Sequence, residues 1–312
     1  TSFLHPPVEL GAIRQRFYAA DNLAERARKA LERHRPPPKA AFSPARCSKA
    51  MKVSLRITAG MLRIGGVKQP AARIPRFHVP VTPLPGVEIE LPAWAARHCA
   101  VLRLRRGDAV VVFDGAGGEF AAELTLVSED GTRARVLSGR AVERESPLGI
   151  TLAQCISGGD RMDLTLQKST ELGVARIVPI ASERSIVKLS RDRADRRVAH
   201  WRKIVIAACE QCGRNRIPEV AGIIELDTFL SEPLGGALRL LLAPDAEGGL
   251  KRLDPPESVI LLVGPEGGLA PHERRHAESR GFLPVRFGPR TLRTETAPIA
   301  VVAAMQGLWG DC

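Results

Sequence analysis

The sequence predicts an α/β protein in which a mainly parallel sheet, covered by helices on both faces, follows a smaller β-rich domain. Three observations predict it. Beyond residue 148, apolar runs of strand length alternate with helical patterns. Between residues 75 and 147, short β-type runs are punctuated by Gly, Pro and Asp. Residues 1–74 share neither texture.

Those first residues are the basic part of the chain. Residues 1–75 hold 15 of the 46 Lys and Arg and 4 of the 34 Asp and Glu, which leaves 31 and 30 for the rest. The net charge of +12 is therefore an N-terminal property, and nucleic-acid binding elsewhere must rest on local clusters. "DNLAERARKALERH" is a helical candidate, mostly charged, and "RHRPPPKAAFSPARCSKAMKV" lacks the apolar content to bury a core. Residues 1–74 read as a disordered or artefactual extension, with a phosphate-tracking basic arm as the alternative.

In residues 75–147 the runs "RFHVP", "GVEIEL", "DAVVVFDG", "EFAAELTLV" and "TRARVLSG" read as strands of a small barrel or sandwich. "PAWAARHCAVLRL" is the one helix among them. In residues 148–312, "ITLAQCI", "ARIVPI", "ALRLLLA" and "SVILLVG" have the length of buried strands. In "VAHWRKIVIAACEQCG", Trp201, Ile204, Val205, Ala208 and Cys212 recur at helical spacing and Gly213 supplies the stop. No apolar run of about 18 residues or more and no leader pattern is present, so a cytoplasmic protein without a membrane partner is expected. The six scattered cysteines suit reduced thiols better than a disulfide framework.

Four stretches invite a chemical reading. "HERRH", His272 to His276, fits a zinc-peptidase pattern. Arg274 and Arg275 would repel a dication and no third ligand is apparent, so a surface helix opened by Pro271 and closed by Gly281 is favoured and no metal is expected. "CEQC", Cys209 to Cys212, reads as buried thiols, with Cys212 on the apolar face of its helix. "VILLVGPEGGLAPHE" ends an apolar strand in Gly264, Pro265, Glu266, Gly267 and Gly268 before a helix, and ligands bind at such strand ends in open α/β sheets. "FGPRTLRTETA" repeats the arrangement after the short strand "PVRF", running into an apolar helix that Thr294 or Thr296 would cap. Neither loop has the dinucleotide or triphosphate fingerprint. Together they are read as two walls of one small-molecule pocket, with a plain tight strand-to-helix turn as the alternative for the first.

"GGDRMDLTLQKSTELGV", "IAACEQCGRNRIPEV", "LLVGPEGGL" and "FGPRTLRTETA" resemble, in order, the motifs of the RsmE-type small-subunit (16S) ribosomal RNA uridine-N3 methyltransferases of the SPOUT, or α/β-knot, superfamily. The resemblance runs from about Arg73 to Trp309. It implies a C-terminal trefoil-knot domain binding S-adenosylmethionine, a PUA-like RNA-binding β domain before it, and a homodimer acting on small-subunit ribosomal RNA, in the assembled 30S subunit, with no DNA partner. In that fold the loop before the last helix wraps the cofactor while the helix packs in the core. The cofactor would then meet backbone groups of Leu262, Gly264, Gly267, Phe287 and Gly288, with Pro265, Glu266 and Gly268 in the same loop and Leu292 against the adenine; Glu266 would favour the sulfonium charge or only fix the turn.

Methylating uracil N3 requires an unpaired base and loss of the N3 proton. A carboxylate base, or a cation beside the developing uracil anion, would serve. The candidates are Arg293 and Glu295 in the second loop, and Glu171 and Glu210 on helices. Glu171 is paired by spacing with Lys168, and Glu210 with Arg214. RNA contacts are expected from Arg103, Arg105 and Arg106 in "LRLRRGD", from Lys168, and from Arg214 and Arg216 in "GRNR". Two other readings compete: a non-catalytic RNA-binding protein of the same fold, which intact loops argue against, and the zinc hydrolase of "HERRH".

Overall fold

The structure, a computed structural model, describes residues 74–129, 131–185 and 191–312. The basic extension, Ile74 apart, and its helical candidate lie outside them.

Five strands, β1 (Arg76–His78), β2 (Glu88–Glu90), β3 (Ala109–Phe113), β4 (Glu119–Val127) and β5 (Thr132–Arg140), form one sheet in the order β1-β3-β4-β5-β2. All its pairs are antiparallel except β1 with β3. Helix α1 (Ala93–Leu102) lies between β2 and β3 in the chain and turns Ala95 and Cys99 inward. Phe77, Val110, Val112, Ala122, Leu124, Ala134 and Val136 complete that core from alternate strand positions, so the sheet curls round it. Its edge strands β1 and β2 are not paired to each other among the described residues.

The second sheet holds β6 (Gly149–Cys155), β7 (Arg176–Ala181), β8 (Glu219–Val220), β9 (Ile224–Glu225), β10 (Leu238–Leu242), β11 (Ser258–Val263) and β12 (Leu283–Val285). Its order is β12-β10-β11-β6-β7-β8, with β9 also on β7, and every pair is parallel. Parallel strands need crossovers, and helices α2 (Asp160–Glu171), α3 (Arg191–Cys212), α4 (Leu226–Ser231), α5 (Pro271–Ser279) and α6 (Thr296–Trp309) cover the faces. Along β11 the burial alternates between two clusters. Val259, Leu261 and Val263 pack with Met162, Trp201, Val301 and Met305, whereas Ile260 and Leu262 pack with Phe229, Ala277 and Phe282. A strand buried on both faces reads as a continuous apolar run, which is why "SVILLVG" carries no alternation.

The two sheets meet across a polar seam at the end of α3. Glu119, 3% exposed, accepts from Arg76 Nη1 at 2.6 Å, Arg140 Nη2 at 2.8 Å and Arg144 Nη1 at 3.1 Å. Arg76 Nη2 reaches Asn215 Oδ1 at 2.5 Å, and Asn215 Nδ2 donates to the Val142 carbonyl. Arg214 pairs with Glu145 and donates to the carbonyls of Thr170 and Val174 at 2.9 and 2.8 Å. Burial alone would raise the Glu119 carboxyl, but the Arg76 and Arg144 guanidinium groups hold it below the usual carboxylate range.

Candidate active site

Register decides where the site forms. Leu242 stands beside Val263 on one side and Val285 on the other, so β10, β11 and β12 end level at the carboxyl edge of the sheet. The chain leaving each strand therefore borders one space, a cleft of about 660 Å³. Leu241, Leu242, Ala243, Pro244 and Asp245 line it from β10; Val263, Gly264, Pro265, Glu266, Gly268 and Leu269 from β11; and residues 286–288 and 290–295 from beyond β12.

Two glycines in the first loop have steric reasons. A Cβ on Gly264 would stand 3.3 Å from the Leu269 nitrogen, and Gly268 has φ +66°. Thr294 ties the loops together. Its hydroxyl donates to the Gly264 carbonyl at 3.1 Å and accepts from Gln154 Nε2 at 3.4 Å, linking the last loop to β11 and β6. This is why the most polar loop abuts the most apolar helix: α6 anchors it by burying Ala297, Val301, Val302 and Met305.

Arg161, on the first turn of α2, spans the two loops. Its Nη1 donates to Glu266 Oε1 at 2.8 Å and its Nε lies 4.0 Å from Glu295 Oε2. Glu266 also accepts the Gly158 N–H at 3.3 Å. Desolvation alone would raise the Glu266 carboxyl; its backbone hydrogen bonds and Arg161 outweigh that and hold it below the usual range, so it is an anion. Glu295 Oε2 is buried without a hydrogen-bond partner. Arg286, Arg290 and Arg293 reach the same cleft, and none forms an ion pair among the described residues.

Of the expected cofactor contacts, Gly264, Pro265, Glu266, Gly268, Phe287, Gly288 and Leu292 line the cleft. Leu262 and Gly267, of which only backbone contacts are expected, are not among its lining residues; the Leu262 side chain is buried, and the Gly267 carbonyl accepts from Arg184 at 3.1 Å. Arg293 and Glu295 are in the cleft. Glu171 and Lys168 are paired as expected, at 2.8 Å, but Glu171 lies ten residues beyond Arg161 on α2, about 15 Å along its axis. Glu210 is not paired with Arg214; its Oε1 accepts the His78 N–H at 2.8 Å, while Arg214 turns to Glu145. Burial pushes the Glu210 carboxyl up to about 7, against the pull of that N–H and of Arg76.

Other expectations need correction. Arg214 is 4% exposed with its guanidinium spent inside the protein, so it offers no surface for RNA. Arg216 is exposed but sits at the seam against Glu143, 3.3 Å away. Arg103, Arg105 and Arg106 are exposed as expected. Neither Thr294 nor Thr296 caps α6; Thr294 is engaged with Gly264, and Thr296 begins the helix with its N–H on the Arg293 carbonyl. Cys209, not Cys212, is the fully buried thiol of "CEQC". In "HERRH", both Glu273 oxygens accept backbone N–H groups, from Glu183 and Ala270, at 2.8 Å each, so this buried carboxylate caps its helix and ties down a neighbouring loop. Sequence reasoning missed Arg161 and the β10 wall, although the Pro-Asp that ends "ALRLLLAPD" marked a third strand end.

Comparison with known proteins agrees with this geometry. Residues 144–306 match the RNA methyltransferase domain family and residues 95–137 the RNA methyltransferase PUA domain family. The ribosomal RNA small subunit methyltransferase E of Buchnera aphidicola subsp. Schizaphis graminum is 35% identical over 214 residues, 68% of this chain and 86% of that protein. The Synechocystis protein of the same name is 34% identical over 67% of this chain and 69% of its own. Among solved structures, a ribosomal RNA small subunit methyltransferase E from Neisseria gonorrhoeae bound to S-adenosyl methionine is 44% identical, with TM-score 0.72, and covers 77% of this chain and 99% of its own. A putative methyltransferase from Legionella pneumophila in complex with the bound cofactor SAM is 40% identical, with TM-score 0.74, covering 77% and 100%. With its SPOUT α/β domain behind a PUA-like β domain, the chain belongs to the ribosomal RNA small subunit methyltransferase E family.

Proposed function

We propose that the chain transfers a methyl group from S-adenosylmethionine to N3 of a uridine in small-subunit ribosomal RNA. The observation that carries this reading is the cleft of about 660 Å³ at three level strand ends, in a chain of this family. Its lining fits the cofactor. Leu241, Leu242, Leu269 and Leu292 supply apolar surface for an adenine, and the backbone at Gly264, Gly268 and Gly288 permits close approach. The orphaned Glu295 Oε2 and the ionised Glu266 suit a cationic ligand.

S-adenosylmethionine, when bound, supplies an electrophilic methyl group. The chain's own residues must handle the base. Arg293, without an ion-pair partner, would stabilise negative charge developing on the uracil carbonyl oxygens as the N3 proton leaves. Glu295 lines the cleft, and its Oε2, buried without a hydrogen-bond partner, is the candidate acceptor for that proton. Arg161 positions both loops through Glu266 and Glu295. Glu171 and Glu210, neither of which lines the cleft of this chain, are assigned structural roles.

In this reading residues 75–147 form the PUA-like RNA-binding domain and residues 148–312 the methyltransferase domain. The substrate is RNA within the assembled 30S subunit, the protein acts as a homodimer, and it works in the cytoplasm. The names of the relatives support an RNA substrate, and no helix among the described residues is long and apolar enough to cross a membrane. The test is transfer of labelled methyl from S-adenosylmethionine to small subunits that lack the modification, followed by nucleoside analysis. The expected product is 3-methyluridine, lost on Arg293→Ala; cofactor binding without any methylated nucleoside would overturn the assignment.

A further inference from the structure

A ring of contacts closes beside the cleft. Residues 154–158 run from the end of β6 into the turn before α2. The Gly158 N–H meets Glu266, Glu266 meets Arg161, and Arg161 Nε lies 4.0 Å from Glu295 Oε2. Thr294, the residue before Glu295, accepts from Gln154 Nε2 at 3.4 Å and so returns the path to β6. Arg161, Glu266, Thr294 and Glu295 line the cleft, whereas Gln154 and Ser157 do not; both are 0% exposed.

Three members of this ring carry a buried polar atom without a hydrogen-bond partner: Gln154 Oε1, Ser157 Oγ and Glu295 Oε2. They are three of the nine such side-chain atoms among the described residues, so the shortfall is concentrated here and calls for a local cause. The Gln154 oxygen is not a misturned amide. Its Nε2 faces the Cys155 carbonyl at 2.9 Å, which can only accept, and the Thr294 hydroxyl, whose proton goes to the Gly264 carbonyl. Reversing the amide would set oxygen against oxygen at both, so Oε1 faces away from them. An amide oxygen and a carboxylate oxygen only accept, and the single proton of a serine hydroxyl cannot serve two acceptors. A water, with two donors, can serve both and accept from the hydroxyl.

We propose that Gln154, Ser157 and Glu295 hold an internal water beside the cleft, and that this water carries away the proton which Glu295 takes from uridine N3. The proposal rests on the methyl-transfer reading above and adds Gln154 and Ser157 to it as positioning residues. The step balances. As the N3–H bond breaks, its proton adds to the carboxylate and its electron pair stays on nitrogen, which forms the bond to the methyl carbon while the C–S pair returns to sulfur. The acid then gives that proton to the water, which passes one on to solvent and restores the carboxylate for the next base. Such an intermediary is needed because Glu295 Oε2 is buried and meets no protein group that could receive its proton.

The first readout needs neither cofactor nor RNA. Removing a buried hydroxyl that has no partner relieves a desolvation cost, whereas removing one that holds a water loses a hydrogen bond and strands two acceptors. Ser157→Ala should therefore lower the Tm of the full chain by about 2–4 °C. A high-resolution crystal structure of the unaltered chain should show a solvent peak within hydrogen-bonding distance of Gln154 Oε1 and Glu295 Oε2. An unchanged or raised Tm, or no ordered solvent at that place, would overturn the proposal. The second readout is kinetic. With small subunits as substrate, Ser157→Ala should slow single-turnover methyl transfer about tenfold and enlarge its solvent deuterium isotope effect, with S-adenosylmethionine affinity within about twofold. Ser157→Thr, which keeps the hydroxyl, should recover most of the rate. A full rate with an unchanged isotope effect in Ser157→Ala sinks the relay and leaves the methylation reading standing. If the unaltered chain forms no 3-methyluridine, the methylation reading fails and the relay with it, whereas the water site stands or falls on the first readout.

Discussion

Arg76 and Arg293 carry the same charge in opposite circumstances. Arg76, 9% exposed, gives Nη1 to Glu119 and Nη2 to Asn215, inside a seam where Arg140, Arg144 and Arg214 are likewise engaged with carboxylates or carbonyls. Arg293 stands in the cleft beside Arg286 and Arg290, without an ion-pair partner among the described residues. The seam spends its charges on itself; the cleft keeps them for something absent from the chain. In a basic protein this difference in satisfaction, more than the count of arginines, separates structural from functional cations.

The sharpest test of that division removes one partner from each region. Glu119→Ala leaves Arg76 buried with its main counter-charge gone and should cost about 3–5 kcal/mol of stability in a urea titration. Arg293→Ala should leave stability within about 0.5 kcal/mol yet lower kcat for methyl transfer about 100-fold or more. A destabilised Arg293 variant, or a fully stable Glu119 variant, would erase the distinction.

A second contrast is titratable. The Glu210 carboxyl at the seam is raised from 4.5 to about 7 in the folded chain, so between those values the folded state holds a proton that the unfolded state has released. Its contribution is fully present below pH 4.5 and is lost as pH rises through about 7, a change of up to about 3 kcal/mol. Glu210→Gln should retain the His78 contact and flatten this part of the stability-versus-pH curve; an unchanged curve would remove the buried-acid assignment. In the cleft the smaller effects are those on cofactor affinity. Gly264→Ala sets a Cβ 3.3 Å from the Leu269 nitrogen and should weaken S-adenosylmethionine binding about tenfold by calorimetry. Arg161→Ala, which releases Glu266 and Glu295, should weaken it about fivefold, with Lys restoring part of the loss.

The strands and helices were legible because their signals are local. "SVILLVG" and "VAHWRKIVIAACEQCG" declare their burial by length and period. The two glycine loops were legible for the same reason, and the family resemblance supplied the ligand that spacing did not. What the residues did not reveal was how polar side chains would be shared across distant elements. Glu210 and Arg214 have the spacing of a helix pair, but Gly213 ends the helix between them and Arg214 turns to Glu145. Thr294 has the position of a cap, but Gly264 and Gln154 claim its hydroxyl. Arg161 sat in a family-like motif without a role, because that role exists only once α2 is set against two loops that follow about 100 residues later, as its Glu266 contact at a separation of 105 residues shows.

The level ends of β10, β11 and β12 also govern when the site can exist. In space β10 lies between the other two, but β12 and the loop to α6 come last in the chain. The walls from β10 and β11 can therefore close into a cleft only once residues 286–297 have packed across them. A ligand held by both loops would recognise only chains that have completed this last step. During synthesis such a ligand would find no complete binding site until the segment through Ala297 had left the ribosome, which makes cofactor capture a readout of finished topology.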